Sequence, residues 1–418
     1  MAKEKRNKKR EVEQQQQPRK VLQFNTQIEE EESEERKKNW WVFLVLIVIC
    51  AVVVIVIFVL RNGRAYNDYE VVKRTESTDT TQMSYLAYNN SLIKYSKEGI
   101  CYLDKNGTAI WVESYKMKQP TVVISDKYIA VADLNGNSVY IFNEDGKVDL
   151  IETPFTICNI DVASQGVFAV VLENETENFI ELYDKYGEQL VEMRTTIADS
   201  GYPLDITLSP DGSKLISSYV TVEGVTVKNT IAAYNFGEVG QNETDRLVGG
   251  FSNLGDTIVP KVEFLNNDTI CAFGDNQIIF YSMKEKPSEK SIINNLEGEI
   301  QSIFYNSKYI GIVEECADGQ DGLYQIRCFD SNGNQRFVKY IDFSYRNIYA
   351  TETEIIIVGT SESRIYDFQG HLKFSYAFTK EVENIVPTGS EQRYIVVYDD
   401  ATEVIKLQHT EEETEEVQ

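Results

Sequence analysis

Apolar and polar residues alternate in short runs along most of this chain, each run closed by Gly, Asn, Asp or Pro. That is the pattern of half-buried β-strands joined by tight turns. Tyr128–Asp133 (YIAVAD) and Ser138–Asn143 (SVYIFN) flank Leu134-Asn135-Gly136-Asn137, an Asn-Gly turn between strand-like runs that predicts a hairpin. The same reading predicts hairpins over Ser91–Asp104, Gly166–Asp184, Lys214–Asn235, Thr269–Ser282, Lys308–Asp330, Thr353–Asp367 and Arg393–Leu407, eight in all. Another apolar strand precedes each, as Leu204–Leu208 precedes Ser209-Pro210-Asp211-Gly212, and a further strand follows each of the first seven, as Gly187–Met193 does. The eighth has none, because the chain turns into His409-Thr410 and the acidic tail 411–418. A spare strand, Tyr69–Arg74, stands at the other end without a nearby partner.

One turn recurs between the third and fourth strands. CYLDKNGTAIW, from Cys101 to Trp111, carries a pattern of an aromatic or apolar residue, Asp or Asn, two variable residues and Gly, and Phe142-Asn143 with Gly146, Tyr183-Asp184 with Gly187, Phe329-Asp330 with Gly333 and Tyr366-Asp367 with Gly370 repeat it. Tyr234-Asn235 and Tyr281-Ser282 are degraded copies. Read at the Asp, Asn or Ser, the copies fall at 104, 143, 184, 235, 282, 330 and 367. A period near ~40 residues built from short strands is the signature of a β-propeller with one four-stranded blade per repeat. The fold class is therefore all-β, a propeller of eight blades, or of seven if the copy near Tyr281 merges into a neighbour. Pairing of Tyr69–Arg74 with the eighth hairpin would lock the first and last blades together and leave no bare edge.

The alternation breaks at Trp40–Leu60, WWVFLVLIVICAVVVIVIFVL, 21 residues without a charge. At a rise of about 1.5 Å per residue this run matches a hydrocarbon core of about 30 Å, which predicts one transmembrane helix. It ends in Leu60-Arg61-Asn62-Gly63-Arg64 with no small-x-small site, so it reads as a signal anchor and not as a cleaved peptide. The basic start MAKEKRNKKR favours a cytoplasmic N-terminus and an extracytoplasmic C-terminal domain. The expected organisation is a disordered tail over 1–39, the span over 40–60, a linker over 61–68, the propeller over 69–408 and an acidic disordered tail over 409–418.

Charge narrows the partners. Of 41 basic and 66 acidic side chains, 13 and 9 lie in residues 1–64, leaving 28 and 57 and a formal balance of −29 for the rest. Such a field opposes nucleic acid and other polyanions, whose binding rests on phosphate neutralisation. It also serves solubility. The two histidines, His371 and His409, sit after a repeat glycine and near the chain end, a poor basis for a Ser or Cys nucleophile. Five cysteines outside the apolar run, Cys101, Cys158, Cys271, Cys316 and Cys328, lie in strand-like contexts and read as small buried residues. Although Cys316 and Cys328 flank one hairpin, a turn near Gly319 sets Cys316 opposite Leu323, so register opposes a bridge.

CYLDKNGTAIW, IELYDKYGEQLVEM and RCFDSNGNQRFVKY resemble the repeats of pyrroloquinoline-quinone-type propellers, with Trp111 at the Trp position and Met193, Tyr340 or Phe374 nearby in other copies. LSPDGSKLISS, from Leu208 to Ser218, resembles the strand-turn-strand of WD-repeat and TolB-type propellers. The whole layout is similar to an uncharacterised family of membrane-anchored propeller proteins of Gram-positive bacteria, a family without an assigned activity. Outer-membrane assembly lipoproteins with a related ring act as scaffolds, an analogy at the level of fold.

The resemblance does not carry a quinone cofactor with it, since adjacent cysteines and a calcium-site pattern are absent from the sequence, and the repeat Asp is explained as a turn residue. Asp318-Gly319-Gln320-Asp321-Gly322 and Asp399-Asp400 offer oxygen ligands of the kind Ca²⁺ takes, yet read more simply as hairpin turns. The expectation is no cofactor, no metal and no catalytic residue. Binding is the expected role. One face of the ring should carry the loops Thr153–Phe155, Asp199–Pro203, Val220–Val227 and Asp318–Tyr324, making Phe155, Tyr202 and Tyr324 candidate aromatic contacts beside Asp318 and Asp321, with core packing as the competing reading for each aromatic. The sequence thus points to a non-catalytic binding or scaffold module at the cell membrane for a protein or cell-envelope partner. A ligand-sensing ectodomain signalling through the cytoplasmic tail and a propeller-type lyase or hydrolase are the alternatives.

Overall fold

The computed structural model describes residues 43–53, 65–77, 82–175, 177–196, 200–316, 322–360 and 362–410. They fall in two units, Met1–Arg64 and Ala65–Gln418. In the first, residues 43–53 are helical with exposed apolar side chains. Among the described residues no helix is long and apolar enough to cross a membrane. The ends of the expected span, 40–42 and 54–60, lie outside the described residues, as do the tail 1–39, the first half of the linker and the acidic residues 411–418.

The second unit is an all-β ring of eight four-stranded antiparallel sheets. Seven blades use consecutive strands from the inside outward: 84–114, 120–152, 156–196, 202–251, 261–293, 300–341 and 345–377 form blades 1 to 7. Blade 8 takes its inner three strands from Asn384–Pro387, Arg393–Val397 and Ala401–Gln408, and its outer strand from Asp68–Glu76. The pairing runs from Asp68 opposite Gln408 to Glu76 opposite Ala401, with a bulge between Val71 and Lys73. The spare strand thus closes the ring as expected, and the seven-bladed alternative falls away. Eight apolar clusters lie between the blades, one for each neighbouring pair, the last joining Val386, Ile395 and Val404 of blade 8 to Leu92 of blade 1.

Burial explains the strand sequences. Second strands such as Tyr128–Asp133, Phe168–Glu173 and Glu354–Gly359 are covered on both sides by neighbouring blades and run almost wholly apolar, whereas outer strands such as Ala109–Ser114 meet water and alternate. His409 and Thr410, expected at a loose end, are held: His409 stacks on Tyr66 at 4.3 Å, and the Thr410 amide donates to Asn67 Oδ1 at 2.9 Å.

The recurring turn has two jobs. Within a blade, Asp104 Oδ1 accepts the amides of Asn106 and Thr108 at 2.8 Å each, and Asp184, Asp330 and Asp367 do the same in their turns. Between blades, the turn receives the outer strand of the preceding blade. The Trp111 indole stacks on Phe142 at 5.2 Å and donates to the Glu144 carbonyl at 3.1 Å. Ser291 Oγ donates to the Asn332 carbonyl at 2.8 Å, and Lys73 Nζ of the closing strand donates to the Asn106 carbonyl at 2.9 Å. At Gly187 (φ +82°) a Cβ would lie 2.9 Å from the Ile151 side chain of the blade before, so glycine there serves both the turn and the close approach.

Removal of Tyr69–Arg74 is expected to lower the melting midpoint of the full chain by roughly 10 °C or more, since it strips a hydrogen-bonded strand and bares an edge; a deletion variant that melts with the parent would contradict closure by this strand. Trp111→Ala is expected to cost about 2 kcal/mol in urea titration, and a cost near zero would show that the docking contact carries no stability.

Candidate binding face

Antiparallel order gives the ring two unlike faces. Loops from the outer strand of one blade to the inner strand of the next share a face with the tips of the central hairpins. The recurring turns lie on the other. The closing strand begins at Asp68 beside Gln408, so the chain enters the ring on the recurring-turn face and leaves the loop face opposite.

Phe155 sits on the loop face between blades 2 and 3, half-buried and stacked on Phe179 at 5.0 Å. Tyr202 is the first residue of the inner strand of blade 4, where a loop had been expected, and its hydroxyl lies 3.5 Å from Glu173 Oε2. Glu173 also takes the Cys158 thiol at 3.2 Å; burial and this carboxylate push that thiol up to about 11, which keeps it protonated. Tyr324 opens the third strand of blade 6 and meets Tyr345 edge to face at 5.1 Å. Phe155 and Tyr202 therefore flank blade 3 together, while Tyr324 belongs to another part of the ring. Asp318 and Asp321 lie outside the described residues. The expected Val220–Val227 loop is instead the tip of a continuous hairpin, Lys214–Glu223 with Thr226–Asn235, because its β-branched residues extend the ladder to a two-residue turn.

Between blades 2 and 3 the loop face holds an open cleft of about 660 Å³, lined by Lys118, Asn135, Asn137, Phe155, Glu173 and Asn174 among others. Its rim is firmly built. Asp133 Oδ1 accepts the amides of Lys118 and Gln119 at 2.8 Å, the Asn135 amide donates to the Ile157 carbonyl at 3.0 Å, and the Ile157 amide returns to Gly136 at 2.8 Å. Thr153 Oγ1 bonds the Phe155 carbonyl at 2.8 Å, fixing the loop that presents the ring. Apart from Phe155 this lining is missed by the sequence reading, which takes Asn135-Gly136 as a turn alone.

A second missed cluster lies on inner strands. Lys261 Nζ is 3.2 Å from Asp205 Oδ2 and 3.3 Å from Glu263 Oε2, and Asp205 Oδ2 also accepts the Val262 amide at 2.9 Å. Asp161 Oδ2 accepts the Leu208 amide at 2.6 Å, and Tyr305 hydrogen-bonds Glu263. The group thus spans blades 3 to 6. Burial pushes Asp161 up to about 6 and Glu263 up to about 7, partly offset by Lys261 in both cases. Burial alone would lower Lys261, but Glu263, Tyr305, Asp205 and Asp161 outweigh it and hold the amine protonated.

Histidine chemistry is tied up locally. His371 Nδ1 lies 2.9 Å from Asp367 of its own turn on the recurring-turn face, and His409 stacks as described. The Cys316 amide bonds the Leu323 carbonyl at 3.0 Å, which is the register expected, and both Cys316 and Cys328 are free thiols.

Residues 62–407 match the family described as a family of unknown function, DUF5711. The chain belongs to that family. No curated protein matches the DUF5711 chain. Among solved structures, Saccharomyces cerevisiae Sqt1 is similar at 12% identity and a TM-score of 0.53, covering 83% of this chain and 100% of that one. Chaetomium thermophilum Sqt1 bound to the N-terminus of ribosomal protein L10 is similar at 12% identity and a TM-score of 0.54, covering 82% and 100%. At such identity the likeness of the DUF5711 ring to these proteins shows fold alone.

In the DUF5711 chain the carboxyls of Asp161 and Glu263 set a pH dependence. Their folded values lie above those of an unfolded chain, near ~4, so their contribution favours the folded state most below pH ~4 and is lost as pH rises through about 6 and 7. Glu263→Gln is therefore expected to gain stability relative to the parent, by on the order of 2 kcal/mol, between pH ~4 and ~8. Parallel stability curves for parent and variant across that range would contradict the assignment.

Proposed function

We propose that this protein is a membrane-anchored, extracytoplasmic propeller that acts as a non-catalytic binding or scaffold module for a protein or cell-envelope partner, engaged on the loop face. The observation that carries the reading is the asymmetry of the ring. The recurring turns are used up in docking one blade to the next, whereas the opposite face carries the built cleft beside Phe155 and Glu173 and lies away from the point of chain entry. The uncharged run Trp40–Leu60 behind a basic N-terminus supports the anchor and its orientation. The acidic balance beyond residue 64 supports a cationic or neutral partner over a polyanion. Chaetomium thermophilum Sqt1, of similar fold, was solved with the N-terminus of another protein bound, which supports a protein segment as ligand by analogy.

Protease added to intact cells is expected to remove the propeller and leave the N-terminal tail protected; protection of the propeller would reverse the orientation. Residue-specific photocrosslinking in intact cells from position 155 is expected to capture one reproducible partner, while the same probe at position 371, on the opposite face, captures none. Equal capture from both positions, or none from either, would count against the loop face.

A further inference from the structure

The cleft between blades 2 and 3 offers a ligand side chains and little backbone. Along its rim the Gly136 amide donates to the Asp133 carbonyl at 2.9 Å and the Thr153 amide to the Asn137 carbonyl at 2.7 Å, in addition to the two bonds between Asn135–Gly136 and Ile157. An extended peptide, which binds by pairing its main chain with a free strand edge, meets a turn here whose amides and carbonyls are largely taken. What the rim presents instead is acceptor oxygen. The side chains of Asn135 and Asn137 stand exposed, and each turns its nitrogen back to the protein, Asn135 Nδ2 to Gln119 Oε1 at 3.3 Å and Asn137 Nδ2 to the Thr153 carbonyl at 3.5 Å. Oδ1 of both, and the exposed Glu175 carboxylate beside them in the lining, receive no donor among the described residues.

Two further features narrow the ligand. Phe155 is stacked on Phe179 at 5.0 Å with 15° between the ring planes, and Thr153 Oγ1 holds its carbonyl, so the half-buried ring that lines the cleft is fixed in place. Lys118 supplies the lining's one ammonium, exposed and without an acceptor among the described residues, against the carboxylates of Glu173 and Glu175, a formal balance of −1. The volume of about 660 Å³ falls within the range of small-ligand sites, about 300–1,000 Å³. The lining is mostly amide, carboxylate and hydroxyl and is open to water, which suits a hydrated ligand of many hydroxyls over an apolar one. A sugar ring matches each element. Its hydroxyls donate to the amide and carboxylate oxygens and accept from Lys118, while its C–H face covers an aromatic ring. The two carboxylates oppose acidic sugars.

We propose that this cleft is a carbohydrate site that takes a short segment of a neutral oligosaccharide, one ring lying on Phe155 while its hydroxyls bond Asn135, Asn137 and Glu175. The proposal rests on the reading of the loop face as the binding face, and it names the class of cell-envelope ligand held there. Glu173 has a smaller part, since one of its oxygens already takes the Cys158 thiol at 3.2 Å.

The test uses the full chain in a polyoxyethylene detergent, which carries no sugar headgroup, and two probes, the linear tetramers of glucose and of N-acetylglucosamine, followed by ligand-observed saturation-transfer NMR. Saturable binding of at least one tetramer is expected, weakened about tenfold or more by Phe155→Ala and by Asn137→Ala. Glu175→Ala, at an exposed position that holds none of the rim bonds, should weaken it about threefold or more, and this arm stands even if Phe155→Ala folds poorly. Complete O-methylation of the tetramer removes its hydroxyl donors and should abolish binding to the unaltered protein. His371→Ala, on the opposite face, should bind like the parent. The proposal is overturned if neither tetramer binds, if the methylated tetramer binds like the unmethylated one, if all three cleft variants bind like the parent, or if the acidic tetramer of galacturonate binds as well as the neutral ones. Capture of a protein from position 155 in cells, with neither tetramer bound, would leave the loop-face reading standing and remove the sugar from it. Sugar binding that Phe155→Ala abolishes, together with equal capture from positions 155 and 371, would keep the cleft site and remove the scaffold reading.

Discussion

The pairing of Asp68–Glu76 with Ala401–Gln408 is the constraint on which the rest depends. Seven blades complete themselves from consecutive chain, but blade 8 has only three strands of its own, and a three-stranded last blade would leave an open edge beside blade 1. The closing strand supplies the fourth strand and more. Arg74 bonds Glu403 at 2.6 Å and Asp400 at 3.3 Å, Tyr69 packs edge to face on Tyr376 at 4.8 Å, and Lys73 reaches into the first recurring turn. The partly exposed Arg74 pairs add little by themselves. Their value lies in fixing register at the one junction that sequence neighbours cannot provide.

Once the ring is closed, the recurring turn acquires its meaning. Taken alone, an Asp that bonds the amides two and four residues on, followed by a left-handed Gly, is a local device. In the ring it is also the socket for the previous blade, whether through Trp111, Ser291 or the packing of Ile151 on Gly187. In blade 4 the pattern inverts: Gly249 lies on the outer strand, and a Cβ there would meet Pro287 of the next turn at 2.9 Å. This explains why the copy near Tyr281 reads as degraded while its blade remains whole.

Architecture was legible because it is written in local signals at a regular period. Asn135-Gly136, the repeated Asp and Gly, and the missing strand after Leu407 sufficed to predict eight blades and their closure. The sites were less legible. Asp161, Asp205 and the pair Lys261 and Glu263 lie on three different blades, and each reads in sequence as a solvent-facing position of an alternating strand; only the curvature of the ring brings them into one half-buried group. The hairpin Lys214–Asn235 was readable, but the extent of its strands was not, since its tip, Val220–Val227, reads as a loop. Phe155 and Tyr202 drew notice as aromatic residues in expected loops, although Tyr202 opens a strand, while the amide-rich cleft beside Phe155 was hidden among ordinary turn residues.

The most direct measurement of the closed ring is native-state hydrogen exchange on the full chain, resolved to the two strands of the clasp. The account predicts that amides of Asp68–Glu76 bonded to Ala401–Gln408 exchange as slowly as those of the strand they cover, and that both open together with the ring. Fast exchange across Asp68–Glu76 while the remaining strands of blade 8 stay protected would contradict it.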